Sequence, residues 1–172
     1  MIASPDLFEC LARDTKVLFS RDERVLVQTI VKSCRIKADV VSRDERESGL
    51  RRILNFGHTV GHALEAVTHY RRLRHGEAVA YGMLVAARLG FNRDLLGVDD
   101  HTALTGLIGR IGPLPSVTDL SASDVIAAIQ RDKKIQSGRL HVVLPRGIGN
   151  AVIVDDVTES DIRRSLRTIS VN

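Results

Sequence analysis

Apolar positions recur along most of this chain at helical rather than strand spacing. Ser4-Pro5-Asp6 supplies an N-cap, a proline in the first turn and an acid at the positive end of a helix dipole, and a first helix follows through Leu11. A longer pattern covers Arg24 to about Val41, with Val27, Ile30, Val31 and Cys34 in helical register. Plotted at about 100° per residue, Leu50, Ile53, Phe56, Val60, Ala63, Leu64 and Val67 cover one side of a further helix. Glu77 to Leu89 carries few charges, the pattern of a helix buried nearly all round and the expected centre of the core. Ser121-Ala-Ser-Asp124 and Thr158-Glu-Ser-Asp161 read as capping boxes, the first before Val125 to Gln130 and the second before a terminal helix. Between them, the β-branched runs Arg139 to Pro145 and Ala151 to Val154 flank Arg146-Gly-Ile-Gly149 and predict a small two-stranded element. The pattern therefore predicts a mainly α, bundle-like helical domain with a small antiparallel β-hairpin near the C-terminus.

Composition narrows the possible functions. With 172 residues, 44% of them hydrophobic, the chain can bury the core of one domain. Nothing in it approaches the roughly 20 apolar residues of a membrane helix, and no leader pattern opens it, so a cytoplasmic protein with no membrane partner is expected. Cys10 and Cys34 form neither a disulfide framework nor a metal spacing. The net charge of +4 comes from basic residues interleaved with acids, as in Arg43-Asp-Glu-Arg-Glu47, and aromatics make up only 3%. That argues against a nucleic-acid partner and suits a small anionic substrate better.

The polar side of the helix after Gly49 is chemically unusual. Arg51, Asn55, His58, His62, Glu65 and His69 line up as one stripe, where an ordinary solvent face would carry Lys and Glu. Gly57 and Gly61 sit among them, and glycine inside a helix is usually kept for the close approach of another backbone or a ligand. His58 and His62, four apart, can point at one metal from one helix face, although the glutamate of the zinc-protease helix is replaced by Thr59. His75 falls at the first turn of the buried helix, where the dipole keeps an imidazole neutral enough to ligate. Activation of water and polarisation of a hydroxyl or carbonyl both remain open. Lys133 and Lys134 are read either as an anion holder or as a solvated helix end, and His69, His101 and His141 as surface or hairpin residues.

Taken together, Lys37 to Arg51, Leu54-Asn-Phe-Gly-His-Thr-Val-Gly-His-Ala63, His75-Gly-Glu-Ala-Val-Ala-Tyr-Gly-Met83 and Asp132-Lys-Lys134 with the following Val-Leu-Pro and Ile-Gly closely resemble 3-dehydroquinate synthase. The resemblance extends over nearly all of residues 1–172 and is to the family's helical C-terminal domain. It implies a metal, zinc or cobalt, held by His58 and His75. His62 then falls to substrate contact or proton handling, which replaces the pairing of His58 with His62. It also implies that Lys37, Arg51, Asn55 and either Lys133 or Lys134 hold the substrate's anionic groups and hydroxyls, with Glu47 close to the reacting atoms.

The family's reaction turns 3-deoxy-D-arabino-heptulosonate 7-phosphate, a sugar phosphate, into 3-dehydroquinate and phosphate, using NAD bound by an N-terminal domain and often working as a homo-oligomer. The family's glutamate ligand and its NAD-binding domain have no counterpart in these residues, so the chain alone is expected to be inactive. Other sugar phosphate cyclases, of the 2-deoxy-scyllo-inosose or aminodehydroquinate type, and a non-catalytic remnant or assembly module are the competing readings.

Overall fold

A computed structural model describes residues 2–47, 49–131, 135–136 and 139–172, without the side chains of 135, 136 and 139. The chain opens with two antiparallel helices, α1 (Pro5–Phe19) and α2 (Glu23–Arg43). Ser4 Oγ accepts from the Leu7 backbone N–H at 3.1 Å, so the expected cap is in place, but the helix runs two turns beyond Leu11. Only Val40 of α2 is buried. Val27, Ile30 and Val31, in helical register along α2, are exposed.

After α2 the Asp44 carboxylate accepts backbone N–H bonds from Gly49 and Arg51, both at 2.9 Å, and starts a 3-10 turn over Leu50–Asn55. The next helices are α3 (His58–Val67) and α4 (His75–Asn92), the second buried along most of its length, as the apolar run requires. α5 (Val98–Arg110), α6 (Ala122–Arg131) and α7 (Glu159–Leu166) complete the helical set, and α4 packs against α3, α5, α7 and the C-terminal hairpin. Leu64, Val85, Ala87, Leu104, Ile108, Leu144 and Leu166 form the dry centre between these elements. Burial pushes the Tyr81 phenol above its ordinary pKa, and its hydroxyl donates to the Pro115 carbonyl at 2.8 Å.

The predicted hairpin splits into two small ladders. Ile135–Gln136 (β1) pairs with Arg139–Leu140 (β2), whereas Val142–Pro145 (β3) pairs antiparallel with Ala151–Val154 (β4), in register Val142 with Val154 through Pro145 with Ala151. The Thr158 capping box closes as expected, with the Asp161 backbone N–H donating to Thr158 Oγ1 at 3.2 Å and the Asp161 carboxylate accepting from the Thr158 N–H at 3.1 Å. No helix among the described residues is long and apolar enough to cross a membrane.

Candidate metal and substrate site

The stripe from Arg51 to His69 is not one helix. Gly57 adopts a left-handed φ of +81°, which ends the 3-10 turn and starts α3 at His58 in a new direction. α3 ends at Val67, and His69 lies beyond it with a φ of +54°. The expected stripe therefore breaks into three parts: Arg51 and Asn55 on the turn, His58 and His62 on α3, and an exposed His69 outside the site. Glu65 follows three residues after His62 on α3 and is buried, at 7% exposure, rather than solvated.

Glycines bring α3 and α4 together, as their positions in the sequence suggested. A Cβ on Gly61 would meet Val79 backbone atoms at 3.1 Å, and one on Gly82 would lie 1.8 Å from the Gly57 carbonyl oxygen. Because α4 lies so close, His75 in its first turn faces His58 and His62. Ring centroids are 5.3 Å apart for His58 with His62, 5.3 Å for His58 with His75 and 5.8 Å for His62 with His75. One ligand nitrogen from each ring lies within 4.8 Å of the others. A tetrahedral zinc with bonds of about 2.0–2.1 Å holds its ligands roughly 3.4 Å apart, so small ring rotations bring the trio to coordination distance. The donor set suits zinc or cobalt: borderline nitrogen ligands, partly exposed.

Hydrogen bonds orient the His58 and His75 rings. His58 Nδ1 lies 3.3 Å from the Phe56 carbonyl oxygen, and His75 Nδ1 lies 3.3 and 3.2 Å from the two Glu65 carboxylate oxygens. An acceptor at Nδ1 fixes the proton there and leaves Nε2 as the ligating atom. His75 opens onto a groove rimmed by the exposed Arg71 and Arg74, a cationic margin beside the cluster.

Asn55 and Glu47 form a second unit, with Asn55 Nδ2 donating to Glu47 Oε1 at 2.8 Å. They line a cavity of about 110 Å³ together with Arg52, Thr59 and His141, walled by Val143 and Ile153 of the β3–β4 hairpin. Sequence reasoning set His141 aside. Its Nδ1 is buried and lacks a hydrogen-bond partner among the described residues, and a lone histidine before a strand gave no signal of that. His101, read with His141 as a surface or hairpin residue, lies on α5, half-buried with its ring centroid 4.9 Å from that of Phe91. Arg51 is half-buried, its Nη1 donating to the Glu45 carbonyl at 2.8 Å. Lys37 lies in a different groove, with Ser33, Ile36 and Leu54, that none of the three histidines lines. Lys133 and Lys134 fall outside the described residues.

Known proteins resemble this chain in sequence and in fold. The chain is 40% identical over 168 residues to a 3-dehydroquinate synthase of Solibacter usitatus, covering 98% of this chain and 47% of that protein. It is 41% identical over 169 residues to one from Rippkaea orientalis, covering 96% and 46%. The chain thus spans about half the length of the relatives it matches. Among solved structures, a 2-epi-5-epi-valiolone synthase from Streptomyces hygroscopicus with NAD+ and Zn2+ bound aligns at a TM-score of 0.86 and 26% identity, over 98% of this chain and 47% of that one. A 2-deoxy-scyllo-inosose synthase complexed with carbaglucose-6-phosphate, NAD+ and Co2+ aligns at 0.68 and 26%, over 84% and 41%. Residues 1–135 match the family described as 3-dehydroquinate synthase C-terminal, and the chain belongs to that family.

Proposed function

We propose that this chain is the metal- and substrate-binding half of a 3-dehydroquinate synthase, which forms 3-dehydroquinate and phosphate from 3-deoxy-D-arabino-heptulosonate 7-phosphate. The observation that carries this reading is the convergence of His58, His62 and His75, with Asn55, bonded to Glu47, on the turn that leads into α3. His58 and His75, each with Nδ1 against an oxygen acceptor, are the metal ligands. A divalent ion bound there supplies electrostatic stabilisation of negative charge developing on a substrate oxygen. His62, on the same face of α3 one turn after His58, moves protons to and from the substrate. Asn55 and Glu47 hold hydroxyl groups, while Arg51 and one of Lys133 and Lys134 hold the carboxylate and phosphate. NAD and the remaining metal ligand come from a nucleotide-binding partner domain equivalent to the other half of the relatives, and the working enzyme is a cytoplasmic homo-oligomer.

The relatives at about 40% identity carry the dehydroquinate synthase name, whereas the valiolone and inosose synthases share only 26%, which favours the first reaction. The test is phosphate release with NAD+ and Zn2+, from the chain alone and from the chain mixed with the N-terminal half of a relative. Activity is expected only in the mixture, and it should disappear in His58→Ala and His75→Ala. Turnover of the valiolone or inosose synthase substrate in preference to the heptulosonate would refute the reaction. Turnover by the chain alone would refute its need for a second half.

A further inference from the structure

Glu65 is a buried acid for which the roles given above provide no use. Its side chain is 10% exposed, while the His75 side chain it meets is 57% exposed. Burying a carboxylate without a counterpart is costly, and among the described residues the side-chain partner of Glu65 is the His75 ring, held by both oxygens. The histidine, by contrast, has little packing to hold its rotamer, because it stands in the first turn of α4 with most of its ring in solvent.

We infer that Glu65 is a positioning residue: its carboxylate fixes His75 as the Nδ1–H tautomer and aims Nε2 at the cluster formed with His58 and His62. An ionised carboxylate only accepts, so the proton between the two groups resides on Nδ1 and the lone pair on Nε2, the atom that must ligate. The geometry also explains why a glutamate follows the two histidines on α3. His58, His62 and Glu65 occupy successive turns, and the acid at the end reaches across to α4, tying the third ring to the helix that carries the other two. The inference rests on the metal-site reading proposed above.

The test begins with the metal-free chain. Long-range 1H–15N correlation spectra at alkaline pH report the tautomer of each histidine, and His75 is expected as Nδ1–H. Glu65→Leu, which keeps buried volume but removes the acceptor, should shift His75 towards Nε2–H. Glu65→Gln retains a carbonyl acceptor and should preserve the tautomer at least in part. Competition for Zn2+ with a chromophoric chelator should show an affinity roughly 10–100-fold lower in the Leu variant, with the loss smaller for Gln.

Far-UV circular dichroism monitors folding. If Leu fails to fold, the wild-type and Gln spectra still decide. An Nε2–H tautomer in the wild type, or a folded Leu variant with unchanged tautomer and Zn2+ affinity, overturns the role. Absence of cyclase activity in the reconstituted enzyme with His75 still Nδ1–H would count against the proposed reaction and not against Glu65.

Discussion

Replacing Gly82 with alanine tests whether backbone contact between α3 and α4 sets the histidine geometry. The added Cβ would lie 1.8 Å from the Gly57 oxygen, 2.7 Å from the Gly57 carbonyl carbon and 2.9 Å from the Gly61 nitrogen. None of these is the free end of a side chain, so relief requires the two helices to separate by roughly an ångström. Overpacking costs about 1–3 kcal/mol and sometimes more, while alanine in a helix returns about 1 kcal/mol relative to glycine.

With rigid backbone on the opposing side and an approach of 1.8 Å, the steric cost sits at or above the top of that range, about 3–4 kcal/mol, so a net loss of about 2–3 kcal/mol is expected. In a domain of this size each kcal/mol moves Tm by about 2–4 °C, so thermal unfolding should shift down by about 5–10 °C. Zn2+ affinity should fall as well, because His75 moves with α4. Gly106→Ala is the control: that glycine lies in α5 with nothing within 4 Å of the added carbon, so a gain of about 0.5–1 kcal/mol is expected. A Gly82→Ala protein as stable as the parent, with unchanged metal affinity, would refute the reasoning.

Three further expectations concern the scaffold. Burial first, and Arg88 second, hold the His101 pKa below its ordinary value, so the unfolded chain takes up this proton more readily than the folded one. The contribution is complete above the unfolded imidazole pKa and is lost as pH falls towards the folded one. Urea midpoints at about pH 8 and about pH 5 should therefore differ less in His101→Leu than in the parent. Thr158→Ala removes the hydroxyl that accepts from the Asp161 N–H and that, first among several causes, keeps the Asp161 carboxyl below its usual range; a loss of about 1 kcal/mol in urea unfolding is expected. Arg72→Ala breaks a 2.7 Å pair with Asp119 whose side chains are 41% and 59% exposed, so the urea midpoint should stay close to that of the parent.

The mainly helical class, the caps at Ser4 and Thr158 and the buried helix after His75 were all legible, because each depends on local pattern or local hydrogen bonding. The break at Gly57 was not. Its left-handed turn places the backbone against Val79 and Met83 of α4, a contact that periodicity within one segment cannot report. Lys37 was assigned to the same site as the histidines on resemblance alone, and here it lines a separate groove. The tie between Glu65 and His75 spans the turn between two helices, so a helical wheel of one segment could place the acid beside the histidines but could report neither its burial nor its partner. His141 reaches the Asn55–Glu47 cavity through a strand pairing whose register only the folded chain defines.

The three imidazoles lie within a single helical hairpin, from His58 to His75, and that locality bears on how the centre forms. Closing so short a loop costs little chain entropy compared with joining distant segments, so the cluster can assemble before the C-terminal strands and α7 add their contacts. The same closeness lets an unfolded chain capture an ion through His58 and His62 alone. Binding to the unfolded state subtracts from the stabilisation that a ligand gives the native one. Added zinc should thus raise Tm by less than its native-state affinity alone dictates, and it should act on the rate of folding as well as on the final equilibrium.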